Sequence, residues 1–284
     1  FIDAQLQITL QSSSKDIPLL SFAIALSYPF HKIFYANGGM GKLFDDMLKD
    51  IHVKNSEEIK YIKKERDFYR LISTKNEYLS SKVVLNAPVF ECSEIFLDED
   101  IKNYYKKFEF YDQSAFVIYL KIDSQKEFLN HYQIILKDNI PNSLSNSFFV
   151  SFSHKDDEKL SKNGYSVTIS SHTKALFWNN LSKDEYETKK EFTKKFIIDE
   201  LLKNISDIKI EDIKIEFCAT SKTFKRYINR FNCGSTPLNL KNIFKIPSST
   251  TPFKNLYNIG DSVFAGQGWP GVALGVKVLN QNLI

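Results

Sequence analysis

The sequence has few cysteines and lacks an apolar run long enough to cross a lipid bilayer. Its three cysteines, Cys92, Cys218 and Cys233, are far apart and odd in number. They show neither a disulfide framework nor metal-ligand spacing, and they fit a reducing, cytoplasmic compartment. The apolar stretch at residues 17–29 is interrupted and shorter than the roughly 20 residues that a spanning helix needs. Neither a disulfide-stabilised secreted domain nor a membrane-spanning helix is expected.

The chain also lacks a surplus of charge of one sign. Its 38 lysines and arginines are balanced by 34 aspartates and glutamates, and the lysines are scattered rather than clustered. A nucleic-acid-binding surface needs clustered basic residues, so no nucleic-acid partner is expected. The five histidines stand apart without metal-ligand spacing, so no metal site is expected either. With 43% hydrophobic and 25% charged residues, the composition is that of an ordinary globular chain.

Apolar periodicity predicts helices and a small sheet in the first part of the chain. Helices are expected at residues 1–11 and 18–26, the second mostly buried, and an amphipathic helix is expected after the glycine turn at residues 38–41. Short strands at residues 59–63, 68–73 and 82–85 are interpreted as a β-meander that returns to a main sheet.

The middle of the chain changes to alternating strands. Strands are predicted at residues 115–122, 132–136, 148–153 and 165–171, which indicates an antiparallel sheet. A helix over residues 191–202 is expected to turn Phe192, Phe196, Ile197 and Leu201 inward, and a further strand is expected at residues 213–217. Near the end, a strand at residues 256–259 precedes a final helix at about residues 270–283.

Glycine is scarce but strongly clustered. Of the ten glycines, eight lie in two short windows: Gly38, Gly39 and Gly41 in the first, and Gly260, Gly266, Gly268, Gly271 and Gly275 in the second. Because glycine permits positive φ and close approach of the backbone, each window marks an unusual turn or a site where a ligand approaches the chain. Tight turns alone would also explain the first window.

The second window has an order that chemistry can use. An apolar strand ends at Gly260-Asp261, a glycine-rich loop follows, and Pro270 opens a helix. The free N–H groups of a helix start carry partial positive charge and attract an anion or an electron-rich carbonyl. Asp261 is placed to accept a hydrogen bond from a sugar-like hydroxyl, and the alternative for an aspartate at this position is to cap a turn or helix.

These residues carry a family resemblance. The segments Asn258-Ile259-Gly260-Asp261-Ser262 and Pro270-Gly271-Val272-Ala273 closely resemble the C-terminal FAD-contacting motif of carotenoid desaturases, carotenoid isomerases and retinol saturases. Residues 35–40 resemble the family's Tyr-Pro-x-Gly-Gly-Met segment, with Ala36 in place of the proline. Residues 85–88 resemble a strand that returns to the flavin, and residues 223–227 resemble a further recurrent segment. The matches occur in the family's order.

The resemblance implies a fold and a cofactor. The expected fold is α/β: part of a split FAD-binding domain with an inserted antiparallel-sheet substrate domain, divided at residues 1–88, 89–220 and 221–284. Gly260 and Asp261 would touch the ribityl or pyrophosphate region of FAD. The residues expected beside its isoalloxazine ring are Gly268, Pro270, Gly271 and Val272. No catalytic side chain is assigned, because the flavin would accept or lend the electrons.

The resemblance also implies a substrate and a missing part. Family members act on hydrophobic polyenes, so flavin-dependent desaturation or cis-trans isomerisation of a carotenoid-like polyene is expected, with peripheral membrane contact. No Gly-x-Gly-x-x-Gly follows a first strand near the N-terminus, where family members carry that phosphate-binding turn. The chain is therefore interpreted as a fragment that lacks its dinucleotide-binding half. It would supply only the second part of a flavin site and would be inactive alone.

Two other functions stay open at this point. One is a non-catalytic module that binds a polyene or lipid, and the other is an enzyme similar to flavin amine oxidases. Aromatic segments such as Phe108-Glu109-Phe110-Tyr111 and Phe148-Phe149 would line a substrate channel or simply fill a core. His172 would face a substrate cavity or be an ordinary histidine at the end of a strand.

Overall fold

The computed structural model describes residues 1–27, 30–31, 34–233, 237–263 and 268–283. Within them the helices are α1 (Ile2–Leu10), α2 (Leu19–Ser27), α3 (Gly39–Leu48), α4 (Glu99–Tyr105), α5 (Ala175–Asn179), α6 (Lys183–Asn204), α7 (Ser221–Ile228) and α8 (Gly268–Leu283). The strands are β1 (Ile59–Glu65), β2 (Phe68–Ser73), β3 (Glu77–Ser80), β4 (Val83–Leu85), β5 (Ser114–Asp123), β6 (His131–Ile135), β7 (Ser147–Phe152), β8 (Gly164–Thr173), β9 (Ile213–Ala219) and β10 (Leu256–Asn258). The predicted mixed α/β class is confirmed.

The chain packs as two units, and each has its own core. The described residues within 1–7, 26–52 and 112–233 form the first unit, and those within 8–25, 53–111 and 234–284 form the second. The first unit contains the large sheet, and the second contains the Gly260-Asp261 segment. The segment boundaries expected from the sequence, at residues 88/89 and 220/221, stay predictions.

The first unit is built on a five-stranded sheet. The strand order is β6-β7-β8-β5-β9, and every neighbouring pair is antiparallel, as the alternating sequence predicts. Burial alternates along β5 and β8, which places Phe116, Ile118 and Ile169 on the face that forms the core. Helix α6 covers this face with Ile197 and Leu201. The sheet thus has one closed face and one face of mixed polar and apolar side chains.

Helix α6 is longer than the sequence analysis predicts and presents one residue differently. It begins at Lys183, eight residues before the predicted start at 191, because Ser182 and Glu185 form a reciprocal capping box. Phe196 packs partly against the core, but Phe192 is exposed, so its predicted inward orientation is wrong. The core position on that turn is taken by Thr193, whose hydroxyl donates to the Pro141 carbonyl at 3.3 Å.

The second unit contains a small meander and a separate strand pair. Strands β1, β2 and β3 form a three-stranded antiparallel sheet, and β4 pairs with β10 in parallel. The predicted third strand of the meander was therefore wrong: residues 77–80 take that place, and residues 83–85 pair elsewhere. The polar residues Asn76 and Glu77 favour a turn in the sequence. In the structure the Ser73 N–H donates to the Asn76 carbonyl and closes the hairpin there, so that β3 already begins at Glu77.

Two helices near the N-terminus have little buried surface. Helix α2 has only Ala25 buried, and its Leu19 side chain is 82% exposed, so the expectation that this helix is mostly buried is wrong. Helix α3 forms after the glycine turn as predicted, but no residue of it is buried. Apolar periodicity predicts the helix and its apolar face correctly, whereas burial of that face depends on a neighbouring surface.

Candidate functional site

The candidate site lies at the carboxyl ends of the parallel strands β4 and β10. Val83 pairs with Leu256 and Leu85 with Asn258. The pairing continues past the strands, because Ile259 donates its backbone N–H to the Leu85 carbonyl at 2.8 Å. Both chain segments therefore leave the pair side by side, residues 86–89 from one and Gly260-Asp261 from the other. In α/β proteins ligands commonly bind outside the carboxyl ends of parallel strands.

A buried hydrogen-bond network fixes the end of β10. Asn258 is fully buried, and its Oδ1 accepts a hydrogen bond from the Tyr105 hydroxyl at 2.6 Å. Its Nδ2 donates to the Ser248 carbonyl at 3.3 Å, and its backbone N–H donates to the Ser249 carbonyl at 2.9 Å. Burial raises the pKa of Tyr105, so this phenol stays protonated and remains a donor. Asn258 thus connects β10 to helix α4 and to residues 248–249, which precede β10 in the chain.

Gly260 is required by its backbone conformation. Its φ is +103°, a region that residues with a side chain rarely adopt, and a Cβ here would lie 2.5 Å from Asn86 Oδ1. Gly260, which follows β10, therefore lies directly against Asn86, which follows β4. This close approach places the half-buried Asp261 immediately beyond the strand pair.

The next residues close the turn back onto the first strand end. Ser262 is buried, and its Oγ accepts a hydrogen bond from the Val89 backbone N–H at 3.2 Å. Val263 is also buried and donates its N–H to the Gly260 carbonyl at 3.3 Å. Residues 260–263 are consequently held by bonds to their own unit. Residues 264–267, which include the predicted loop glycine Gly266, lie outside the described residues.

Helix α8 begins at Gly268, two residues before the predicted start. Gly268 has φ +62°, and Pro270 lies in the first turn, where its missing N–H removes no intrahelical bond. Gly268 and Pro270 are exposed, whereas Gly271 and Val272 are half-buried. The first turn therefore presents backbone N–H groups that have no acceptor within the helix. The described structure brings Gly260 and Asp261 together and places the other four predicted site residues at this helix start.

The start of α8 contains a spacing that the sequence analysis did not use. Residues 266–271 read Gly-Gln-Gly-Trp-Pro-Gly, which is Gly-x-Gly-x-x-Gly. This pattern follows β10 rather than a first strand, and no βαβ unit surrounds it in the described part of the chain. Its glycines continue along α8 to Gly275, which is buried. Without a surrounding βαβ unit, the spacing is not assigned to a dinucleotide-binding turn.

Replacing Gly260 by alanine is expected to lower the free energy of unfolding by about 1–3 kcal/mol, because a side chain is strained at this φ. Urea denaturation followed by circular dichroism measures the change. Removing the Asn86 contact in the double variant G260A/N86A should recover only a small part of the loss, since φ is unchanged. Full recovery in the double variant would show that the contact, and not the backbone, makes glycine necessary.

The first glycine window has a different role, in the first unit. Gly38 donates its backbone N–H to Asp157 Oδ2 at 2.9 Å, and the Tyr35 hydroxyl donates to the same oxygen at 2.8 Å. Tyr35 also stacks on His154 with ring centroids 3.7 Å apart. Gly39 has φ +80°, and a Cβ there would lie 2.8 Å from Leu160. Residues 35–39 therefore dock tightly on the loop between β7 and β8.

This docking should depend on pH. The Gly38 N–H and then the Tyr35 hydroxyl lower the pKa of Asp157, so their stabilising contribution is present above the ordinary aspartate pKa and is lost as pH falls through the lowered value. We expect Asp157→Ala to accelerate hydrogen exchange of the Gly38 amide about tenfold or more at pH 7, as loss of a charged hydrogen bond implies. The matched control Glu158→Ala should leave that exchange unchanged. Equal exchange in both variants would contradict the docking role of Asp157.

The face of the large sheet opposite helix α6, called the open face below, carries His172 and several aromatic residues. His172 lies in β8 opposite Ala115, and burial lowers the pKa of its imidazole to about 4, so it is neutral at pH 7. On the same face, Tyr119 stacks on Phe217 with centroids 4.8 Å apart, and His131 stacks on Phe149 at 5.3 Å. Phe148 instead fills the core on the closed face. Phe148 thus lies in the core, whereas its neighbour Phe149 lies on the open face.

Two kinds of site are not found within the described residues. No group of three or more histidine, cysteine, aspartate or glutamate side chains there is arranged to hold a metal ion. Across the same described ranges, no helix is both long enough and apolar enough to pass through a membrane.

Comparison with known proteins gives relatives along almost the whole chain. No family model matches. Prolycopene isomerase 2 of an Oncidium hybrid cultivar is 27% identical over 303 residues, which cover 96% of this chain and 50% of that protein. The prolycopene isomerase of Daucus carota is 25% identical over 294 residues, covering 96% of this chain and 48% of that protein. The chain spans about half the length of the curated relatives it matches.

Solved structures with the same fold include an oxidoreductase and an isomerase. The Methanosarcina mazei oxidoreductase has a TM-score of 0.65 at 16% identity, covering 99% of this chain and 63% of that one. The CLA-producing fatty acid isomerase of P. acnes has a TM-score of 0.60 at 12% identity, covering 100% and 62%. Cyclohexylamine oxidase from Brevibacterium oxydans has a TM-score of 0.59 at 10% identity, covering 99% and 64%. The resemblance seen in the sequence is thus confirmed: the chain is similar to carotenoid isomerases and has a fold shared with these oxidoreductases.

Proposed function

We propose that this chain is part of a FAD-dependent enzyme that isomerises or desaturates a carotenoid-like polyene. The observation that carries the proposal is the match of 96% of the chain to prolycopene isomerases, with the strand-Gly260-Asp261-helix arrangement in the same chain. Among the two reactions, cis-trans isomerisation is favoured by the names of these relatives. The proposal concerns the complete protein, of which this chain supplies one part of the site.

The residues of the site fit a flavin nucleotide. Asp261 is half-buried beyond β10, where a carboxylate can accept a hydrogen bond from a ribityl hydroxyl. The exposed first turn of the 16-residue helix α8 offers backbone N–H donors and partial positive charge to an electron-rich part of a ligand. Gly260 and Asp261 would hold the ribityl or pyrophosphate region, while Gly268, Pro270, Gly271 and Val272 would lie beside the ring system. FAD, when bound, would supply the exchange of electrons with the substrate.

The open face of the large sheet suits a hydrophobic substrate. Tyr119 and Phe149 are half-buried on this face, and the exposed Phe217 extends it onto β9. His172 is uncharged there, so it adds no charge that a polyene would have to contact. We further propose peripheral contact with a membrane, the source of such a substrate. The exposed Phe34, Met40, Phe44 and Met47 side chains support that contact in the first unit.

The experiment uses the complete coding sequence to which this chain belongs. The purified protein should show a flavin absorbance spectrum, and a carotenoid-producing host that expresses it should change the isomer or desaturation pattern of its pigments. A folded protein without flavin would overturn the enzyme proposal and favour a polyene- or lipid-binding module. Unchanged pigments together with amine-dependent peroxide would favour an amine oxidase.

Asp261→Asn is expected to reduce flavin retention about tenfold or more, because an acceptor of a charge-assisted hydrogen bond is replaced by a neutral amide. Flavin released on dialysis, measured by fluorescence, gives the retained fraction. Asp67→Asn is a matched control in the same unit, since Asp67 is exposed and forms a 3.4 Å ion pair with Lys254. Equal retention in the two variants would remove Asp261 from the cofactor site.

A further inference from the structure

A cleft lies in the first unit, between helix α6, helix α7 and the last residues of β9, and it shares Tyr119 and Phe217 with the open face of the sheet. Its volume is about 810 Å³. Tyr186 of α6 is buried at this cleft, and its hydroxyl is hydrogen-bonded to Thr220 Oγ1 at 3.1 Å and Thr223 Oγ1 at 3.4 Å. These bonds hold the phenol ring in place between the two helices. The cleft is therefore bounded by regular elements rather than by long loops.

The charge of the cleft is strongly one-sided. Its lining contains the cations Lys183, Lys190, Lys222 and Arg226, against the single acid Glu187. Among the residues that the structure describes, none of these four cations forms an ion pair. Unpaired like charges around one cleft raise its positive potential and attract anions.

Two of the cations contact the same aromatic ring. Lys222 Nζ lies 4.9 Å from the centroid of the Tyr186 ring, and Lys190 Nζ lies 5.3 Å from it. Both lysines are half-buried, and Lys222 also donates to the Leu181 carbonyl at 3.3 Å. Cation–π contact and a neutral carbonyl orient the ammonium groups without neutralising them. The positive charge of both lysines is therefore available to an anionic ligand.

Aromatic surface adjoins these cations. Phe217 is 56% exposed, and its other face stacks on Tyr119 at 4.8 Å. Tyr227 is 73% exposed, and the Arg226 guanidinium lies 5.5 Å from its ring centroid. Exposed aromatic rings beside unpaired cations suit a ligand that joins an anionic group to a flat or apolar group.

We propose that this cleft binds a phosphate ester that carries an aromatic or apolar group. A phosphate monoester bears a charge of roughly −1.5 to −2 near neutral pH, so one such group can offset more than one lysine. Lysine binds phosphate as a point charge and needs no bidentate geometry. The ester's organic part would contact Phe217 and Tyr227. The phosphate can belong to a free metabolite or to a lipid headgroup, and the experiment separates these sources.

The test measures binding of inorganic phosphate, phenyl phosphate and two kinds of vesicle to the intact protein. One vesicle is phosphatidylcholine alone, and the other contains phosphatidic acid. We expect phenyl phosphate to bind more tightly than inorganic phosphate and to weaken as salt is added. The double variant K190Q/K222Q should weaken phenyl phosphate binding about tenfold or more, as loss of two charged contacts implies. Phenyl phosphate binding without vesicle binding identifies a soluble ligand, and selective binding of the phosphatidic acid vesicles identifies a lipid.

The matched control is K195Q/K203Q, which removes the same charge from α6 outside the cleft. It should bind phenyl phosphate as the unaltered protein does, and K190R/K222R should retain most of the affinity. Thermal unfolding of each variant checks that the fold is intact. The proposal is overturned if no phosphate probe or phosphatidic acid vesicle binds, or if the two glutamine double variants lose affinity equally.

Discussion

Trp178→Ala should lower the free energy of unfolding of the first unit by about 3–5 kcal/mol, the usual cost of removing a large aromatic residue from a core. Trp178 is fully buried beneath the five-stranded sheet. Its ring centroid lies 5.4 Å from that of Phe116 in β5 and 5.1 Å from that of its neighbour Phe177, so the truncation removes contacts to the sheet and within its own helix α5. The cavity would lie between rigid elements that cannot collapse to fill it.

A more conservative variant separates packing from hydrogen bonding. Trp178 Nε1 donates to Thr173 Oγ1 at 2.9 Å, and that hydroxyl in turn donates to the Asn142 carbonyl. Trp178→Phe keeps most of the apolar contact but loses the indole donor, so we expect a smaller loss of about 1–2 kcal/mol. Urea denaturation followed by far-ultraviolet circular dichroism measures both changes.

The other tryptophan is a natural control for this prediction. Trp269 is 43% exposed in the first turn of α8, so Trp269→Ala should change stability by no more than about 0.5–1 kcal/mol. If Trp178→Ala were no more destabilising than Trp269→Ala, the assignment of Trp178 to the core of the large sheet would be wrong.

Asn258→Ala should destabilise the second unit by about 2–4 kcal/mol, because it leaves buried polar groups without partners. The Tyr105 hydroxyl would lose the acceptor that it reaches at 2.6 Å, and the Ser248 carbonyl would lose a donor. Since Asn258 precedes Gly260 and Asp261, the same change should also loosen the candidate cofactor site. Hydrogen exchange of the β10 amides, together with urea denaturation, reports on both effects.

A double-mutant cycle tests the cause of this loss. Tyr105→Phe removes the hydroxyl and should cost about 1 kcal/mol. In the Tyr105→Phe background no phenol is left without an acceptor, so Asn258→Ala should cost about 1–2 kcal/mol less than it does alone. Strict additivity of the two substitutions would contradict a direct bond between these side chains.

The large antiparallel sheet could be predicted well from the sequence because its signal is local. Alternating residues such as Phe116, Ile118 and Ile122 on one strand match those on its neighbours, and each pairing is reinforced by the next. The strand β3 was missed because it has only four residues, Glu77 to Ser80, which lack a clear apolar alternation and are held by pairing with β2. Short strands of this kind are defined by their neighbour rather than by their own composition.

The candidate site could be predicted only in part, for a related reason. The glycines and Asp261 are visible in the sequence, and the structure places Gly260 and Asp261 directly beyond a strand pair. Asn86 and Asn258 were not identified as its supports, since an isolated asparagine looks the same in a turn and in a buried network. The signal that could have found Asn258 is its position at the end of an apolar strand, where a polar residue must have partners if it is buried.

The strand pair at the site also has a consequence for folding. Val83 pairs with Leu256, so β4 and β10 are neighbours in space but far apart in sequence. The whole of the five-stranded sheet lies between them along the chain. Closing so long a loop is entropically costly, and contacts between distant segments form slowly. Folding of the intervening sheet would shorten the effective loop before the two strands meet. The segment that carries Gly260 and Asp261 should therefore be among the last parts of the chain to acquire protection from hydrogen exchange during refolding.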